Sequence, residues 1–302
     1  MINKNILFFM PSIEGGGVEK NLFIVSNYFS KKFKNVTLIT SSIKFKSKFS
    51  NKIKIISPNN FFWESFGRRI KYFVCLFLLL IEFFKNKEMI VFSFQANIYC
   101  IVLCKIFNVK IIVRSNTAPV GWSRNIFKQA IFKIFLNLSD KVMVNSLQFK
   151  KDLKKEFNVN AECIYNPLNT KEVIKKSKLK SKKIFKNKAL KIINVGRFTE
   201  QKDQITLLKA LNEIKNQLSF EAFIIGRGIL KQKLENYIKQ NNLSKIIKLK
   251  NFSKNPFPLI KQSDIFILSS SYEGLPNVLL ESLVLKKFII SSNCKTGPKE
   301  IL

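Results

Sequence analysis

Short, unbroken apolar runs of strand length recur along this chain, and stretches of helix length separate most of them. The runs at 6–10, 36–40, 53–56, 89–94, 110–113 and 141–144 fill the first half, with helical patterns over 18–32, 69–85, 96–107 and 124–138. Such alternation implies parallel strands joined by crossover helices. Strands that are apolar throughout imply a sheet covered on both faces. A second series follows, with strands at 191–195, 222–225, 246–249, 265–268 and 288–291 and helices at 201–215, 230–240 and 278–285. Between the two series, residues 171–188 are rich in Lys and Ser and read as a linker or a solvated helix end. The chain is therefore expected to form two doubly wound α/β domains, 1–170 and 190–302, joined by a linker over 171–189. Ligands are expected in the cleft between them. The second series stops soon after its last strand, so this domain reads as incomplete.

With 302 residues, 46% of them hydrophobic, the chain can bury two cores. Its net charge of +34 invites a nucleic-acid reading. Against that, arginine occurs only at Arg68, Arg69, Arg114, Arg124, Arg197 and Arg227, and the lysines are spread along the chain. Arginine is the usual choice for bidentate base and phosphate contacts, so no nucleic-acid partner is expected. The charge still favours acidic substrates and anionic lipid surfaces. There is no histidine, which excludes a His base or a His metal ligand. The five cysteines form no CxxC pair and read as buried free thiols in a reducing compartment. The first apolar run ends at Pro11 and is too short for a leader. The longest apolar run, 72–81, is too short to span a bilayer. It reads as a core helix on a sheet, or as one that also rests on a membrane surface beside Arg68, Arg69, Lys71, Lys85 and Lys87.

Two segments carry chemistry. After the strand at 265–268 and a polar turn comes Glu273-Gly274-Leu275-Pro276-Asn277-Val278-Leu279-Leu280-Glu281, which opens a helix. Backbone N–H groups at such a helix start suit a phosphate or sugar oxygen. Glu273 can reach sugar hydroxyls there, and Glu281 can grip a ribose diol. The second segment is Asn194-Val195-Gly196-Arg197-Phe198-Thr199-Glu200-Gln201-Lys202-Asp203. A strand ends at Val195, Gly196 permits a tight turn, and Arg197 and Lys202 bracket the loop, as a diphosphate clamp requires. A third place is the glycine loop around Gly16 and Gly17 after the first strand, where glycines permit close backbone approach to a ligand. Weaker places are the polar cluster Arg114, Ser115 and Asn116 that ends the strand at 110–113, and Asn97 after the strand at 89–94.

The Glu273–Glu281 segment resembles the glutamate–seven residues–glutamate motif of glycosyltransferase family 4, and the Gly196–Lys202 loop is similar to that family's diphosphate loop. Residues 255–264 and 296–301 carry the resemblance further. It implies a GT-B fold of two Rossmann-like domains and a retaining, metal-independent enzyme with no cofactor. By the resemblance, Glu273 contacts the donor sugar and Arg197 and Lys202 hold the diphosphate, these three being the catalytic group. Glu281, Gly16, Gly17, Leu275, Pro276 and Asn277 then bind the donor, and Arg114, Ser115, Asn116 and Asn97 face the sugar or acceptor. The implied reaction moves a hexose or N-acetylhexosamine from a UDP-sugar to a lipid-linked or surface oligosaccharide, as in lipopolysaccharide, O-antigen or capsule synthesis. The implied location is cytoplasmic, peripheral on the inner face of the plasma membrane. The family's second domain continues past residue 302, so the resemblance also implies a truncated chain, with activity lost in one reading. The rival readings are a nucleotide-sugar isomerase of the same fold and a basic binding module without activity.

Overall fold

In the computed structural model the chain divides into two units, Met1–Pro167 and Leu168–Leu302. The structure describes residues 1–58, 62–116, 126–186 and 188–302. The first unit holds strands β1 (Ile2–Phe9), β2 (Phe33–Ile39), β3 (Ile53–Ile56), β4 (Met89–Ser93), β5 (Lys110–Ser115), β6 (Lys141–Val144) and β7 (Ala161–Cys163). They pair in the order β3-β2-β1-β4-β5-β6-β7, all parallel. The helices are α1 (Gly17–Lys32), the single turn α2 (Phe62–Ser65), α3 (Arg68–Lys85), α4 (Asn97–Ile106), α5 (Ile126–Leu138) and α6 (Leu147–Phe157).

Strand alternation divides the apolar side chains between the two sheet faces. Leu7, Phe9, Val91, Ile111 and Val113 share one core cluster with Cys75, Leu79 and Phe83 of α3, Cys104 of α4 and Leu136 of α5. Ile6, Phe8, Val36, Leu38 and Phe92 share another with Leu22 of α1. The run at 72–81 thus lies in a core helix. The helix expected from 124 is described from Ile126, and residues 124 and 125 lie outside the described set. Sequence reasoning missed α6, whose Leu-Gln-Phe-Lys-Lys-Asp-Leu-Lys-Lys-Glu-Phe reads as charged. Its buried side is only Phe149, Asp152, Leu153 and Phe157, and Ser146 caps it by accepting from the Phe149 N–H at 3.1 Å.

The second unit contains β8 (Leu190–Val195), β9 (Phe220–Gly226), β10 (Ile247–Asn251), β11 (Ile265–Leu268) and β12 (Phe288–Ser291), paired in parallel as β10-β9-β8-β11-β12. Its helices are α7 (Thr170–Ser177), α8 (Gln204–Ile214), α9 (Lys231–Gln240), α10 (Phe257–Gln262), α11 (Asn277–Val284) and the short α12 (Pro298–Ile301). The stretch expected as a linker over 171–189 belongs to this unit. Val173 of α7, with Ile184 and Phe185, is buried in one cluster with Phe223, Phe257 and Phe266. A few apolar residues among many lysines suffice, because the lysines stay in water while the apolar side chains pack. The helix expected over 201–215 is broken: Glu200–Lys202 form a 3₁₀ turn, Asp203 adopts a left-handed φ of 43°, and its side chain caps α8. All five cysteines are free. Among the described residues no helix is long and apolar enough to cross a membrane.

Candidate functional site

In the second unit the strand order reverses at β8, with β9 on one side and β11 on the other. Crossovers of one hand then send the chain to opposite sheet faces after β8 and after β11, which opens a crevice at the carboxyl ends of these two strands. The loops at this point are the two segments singled out in the sequence. They are joined by side chains and by backbone. Lys202 Nζ pairs with Glu273 Oε1. The Ser270 hydroxyl donates to the same carboxylate oxygen at 2.6 Å. Ser269 Oγ donates to the Lys202 carbonyl at 2.9 Å, the Ser271 N–H to the Gln201 carbonyl at 2.9 Å, and Gln201 Nε2 to the Tyr272 carbonyl at 3.0 Å. Glu273 is buried, whereas Arg197 is exposed and donates to Gln201 Oε1 at 3.4 Å. One buried carboxylate is thus neutralised by one ammonium, and one guanidinium stands at the surface beside them.

Glycines let the loops approach this closely. A Cβ on Gly226 would lie 1.9 Å from the Gly196 carbonyl oxygen. Gly297 has a φ of 77°, and a Cβ there would lie 2.1 Å from the Gly274 carbonyl oxygen. The adjacent Thr296 hydroxyl donates to the Glu273 carbonyl. The segment at 296–297 therefore braces the backbone that carries Glu273. Cys294 lies beside it, with its thiol pushed up by burial and by the Glu273 charge.

Leu275 and Pro276 are buried at the entry to α11, Asn277 is its first residue, and no side chain caps the helix. Glu281 is buried one turn further along. Glu273 and Glu281 thus stand at the two ends of one loop-and-helix segment that opens at the crevice. Sequence reasoning placed Gln201 and Thr296 inside its segments but gave neither of them, nor Ser270, a role, because a polar side chain in a loop acquires one only when the fold supplies its partner.

In the first unit the strand order reverses between β1 and β4. The loop after β1 holds the glycine segment, and Asn97 begins α4 just after β4. Gln95 accepts from the Ser12 N–H at 3.0 Å and so ties the two loops together. Gly16 precedes α1, Gly17 begins it, and a Cβ on Gly16 would lie 2.8 Å from Glu19 Oε2. Glu14 pairs with Arg68 at 2.8 Å, and the hydrogen bond raises the Arg68 pKa.

The expectation that Arg114 faces a sugar or acceptor is corrected. It is 2% exposed, and its guanidinium donates to the Ile164 carbonyl at 3.1 Å, to Asn166 Oδ1 at 2.9 Å and to Asn116 Oδ1 at 3.3 Å. Burial lowers its pKa to about 10. A long side chain at the end of β5 has reached the segment after β7, where carbonyl oxygens accept its protons, so Arg114 ties the chain together inside the unit. Asn97 donates to the Arg114 carbonyl at 3.1 Å and accepts from Ser93, and Ser115 is buried.

Over residues 175–302 the chain matches the family described as glycosyl transferases group 1. That match takes in nearly the whole of the second unit. An uncharacterized glycosyltransferase of Methanocaldococcus jannaschii is 32% identical over 248 residues, covering 74% of this chain and 60% of that protein. The N-acetylgalactosamine-N,N'-diacetylbacillosaminyl-diphospho-undecaprenol 4-alpha-N-acetylgalactosaminyltransferase of Campylobacter jejuni is 27% identical over 216 residues, covering 67% of this chain and 57% of that protein. The chain thus spans about 60% of the length of the curated relatives it matches. Anabaena HepE, solved in complex with UDP and glucose, superposes with a TM-score of 0.75 at 13% identity over 99% of this chain and 83% of that one. The fold is the GT-B fold, with its two parallel sheets of 7 and 5 strands.

Proposed function

We propose that this chain is a retaining, metal-independent glycosyltransferase that moves a hexose or N-acetylhexosamine from a UDP-sugar to a lipid-linked glycan. The observation that carries this reading is the Lys202–Glu273 pair at the β8/β11 switch point, which joins the two segments that resemble a nucleotide-sugar site. Arg197 is placed to meet a diphosphate from the exposed side. Lys202 is held by Glu273 at the edge of the crevice, so an arriving diphosphate meets an ammonium already positioned. As the sugar–oxygen bond breaks, negative charge grows on the departing phosphate, and fixed cations stabilise that charge more than they stabilise the intact donor. In a retaining transfer the acceptor hydroxyl attacks the face that the phosphate vacates, and the phosphate oxygen takes its proton. The residues of this chain then act by positioning and by charge. Glu281 suits the ribose diol. The acceptor class rests on the Campylobacter jejuni relative, whose name specifies a diphospho-undecaprenol acceptor.

The test is calorimetry of UDP binding to the full chain with a chelator present, with Arg197→Ala and Glu281→Ala alongside. The expected result is binding by the wild type and a loss of at least about tenfold in each variant, the scale of one charge-assisted hydrogen bond. A folded wild type that does not bind UDP, or variants that bind as the wild type does, would overturn the donor assignment.

A further inference from the structure

The outward sides of α3 and α5 carry apolar residues where a surface helix normally carries polar ones. On α3, Cys75, Leu79 and Phe83 are buried, while Phe73, Phe77 and Phe84 are 77%, 59% and 73% exposed. On α5, Leu136 is buried, while Phe127, Ile131 and Ile134 are 81%, 43% and 58% exposed. With about 100° of turn per residue, each exposed trio forms one stripe on the side away from the core. Both helices therefore have two apolar sides, and only one of them is satisfied by the sheet.

These stripes share one side of the first unit. Helices α3, α4 and α5 contribute to the same core cluster, and α4 packs against both α3 and α5. At ~10 Å between neighbouring helix axes, the two stripes lie roughly 20 Å apart. Tyr99 and Ile106 of α4, 61% and 71% exposed, occupy the interval. The rim is cationic, with Arg69, Lys85, Lys128 and Lys133 exposed. The acid within the three helices is Glu82, which is turned inward and pairs with Lys54 and Lys85. A second copy of a chain of net charge +34 would be repelled from this face. Single-stranded nucleic acid is bound by aromatic rings set among clustered arginines; of the four rim cations only Arg69 is an arginine, and Ile106, Ile131 and Ile134 interrupt the rings of Phe73, Phe77, Phe84, Tyr99 and Phe127.

We propose that the α3–α4–α5 face is a docking surface for an anionic lipid bilayer, with the Phe and Ile side chains entering the acyl boundary and the Arg and Lys heads meeting lipid phosphates. The surface deepens the proposed function, and rests on that reading only for its purpose, by holding the enzyme where a lipid-linked acceptor lies.

The test uses the full chain with vesicles of phosphatidylglycerol and phosphatidylcholine, and with vesicles of phosphatidylcholine alone. The wild type is expected to sediment with the anionic vesicles, and the Phe77→Ser/Ile131→Ser double variant to partition at least about tenfold less. Tryptophan emission of Phe77→Trp and of Ile131→Trp is expected to shift to the blue on vesicle addition, relative to the wild type under the same conditions. If the double variant binds as the wild type does and salt alone removes both, adsorption is by diffuse charge and the proposal fails. If the double variant instead breaks a dimer seen in sedimentation and the wild type ignores vesicles, the face belongs to a second copy and the proposal also fails. UDP calorimetry on the same variants separates the two readings, because donor binding is expected to be unchanged whatever the vesicles show.

Discussion

Lys202 and Glu273 stand 71 positions apart in sequence and form one ion pair, which the Ser270 hydroxyl completes by donating to the same carboxylate oxygen. The pair is mostly removed from water, so each charge depends on the other. Lys202→Ala is expected to destabilise the second unit by about 2–4 kcal/mol, because it leaves Glu273 buried beside a single hydroxyl donor. Lys202→Met with Glu273→Gln removes both charges and is expected to recover at least half of that loss. Urea unfolding of the three proteins checks both statements. A single variant as stable as the wild type would show that the pair carries no structural weight.

Gly226 cannot accept a side chain without displacing the Gly196 carbonyl, which lies 1.9 Å from where a Cβ would stand. Gly226→Ala is expected to cost at least about 2 kcal/mol and to weaken UDP binding together with stability, because the obstructed atom lies in the loop that carries Arg197. Gly67→Ala serves as the control, since nothing lies within 4 Å of a Cβ there. It is expected to unfold within about 0.5 kcal/mol of the wild type.

Arg114→Met removes the donor that satisfies the Ile164 carbonyl and Asn166 Oδ1. The expected loss is about 2–4 kcal/mol in thermal or urea unfolding. Arg114→Lys is expected to restore little, because an ammonium cannot reproduce a planar fork. Full stability in Arg114→Met together with lost transfer activity would return this residue to the acceptor side of the site.

Burial pushes the Cys75 thiol from its ordinary 9.0 up to about 12. Above pH 9 the unfolded chain therefore releases a proton that the folded chain retains. The stability this thiol contributes is complete below pH 9 and is lost between pH 9 and about 12. From pH 8 to pH 10 the loss is about 1 kcal/mol. Urea unfolding at both pH values is expected to show a steeper decline in the wild type than in Cys75→Ala. Equal declines would mean that the thiol is not held protonated.

Most strands were legible because each is a continuous apolar run bounded by charge or by a turn, as for Ile53–Ile56 and Ile265–Leu268. The two loops of the candidate site were legible for a different reason: each follows such a run and opens a helix. Less could be read where lysine dominates. In α6 and α7 the buried residues are few, and the surrounding charge conceals their helical spacing. Arg114 was misread because an arginine at a strand end is equally suited to a crevice or to a neighbouring carbonyl, and only the return of the chain past β7 decides between them. The pairing of Lys202 with Glu273 was likewise out of reach, since either loop alone is compatible with open water.

The strand order of the second sheet also fixes the sequence in which a ribosome can complete it. Strands β8, β9 and β10 are made first and can pair among themselves, while β11 and β12 take the other side of β8. A nascent chain that has reached β10 therefore presents β8 as an open, apolar edge, the kind of edge that recruits foreign strands. That exposure ends when β11 emerges and pairs with Ile192 and Ile193 of β8. Translation pauses between residues 251 and 265 would prolong the hazard, and any holding chaperone would be needed in that window.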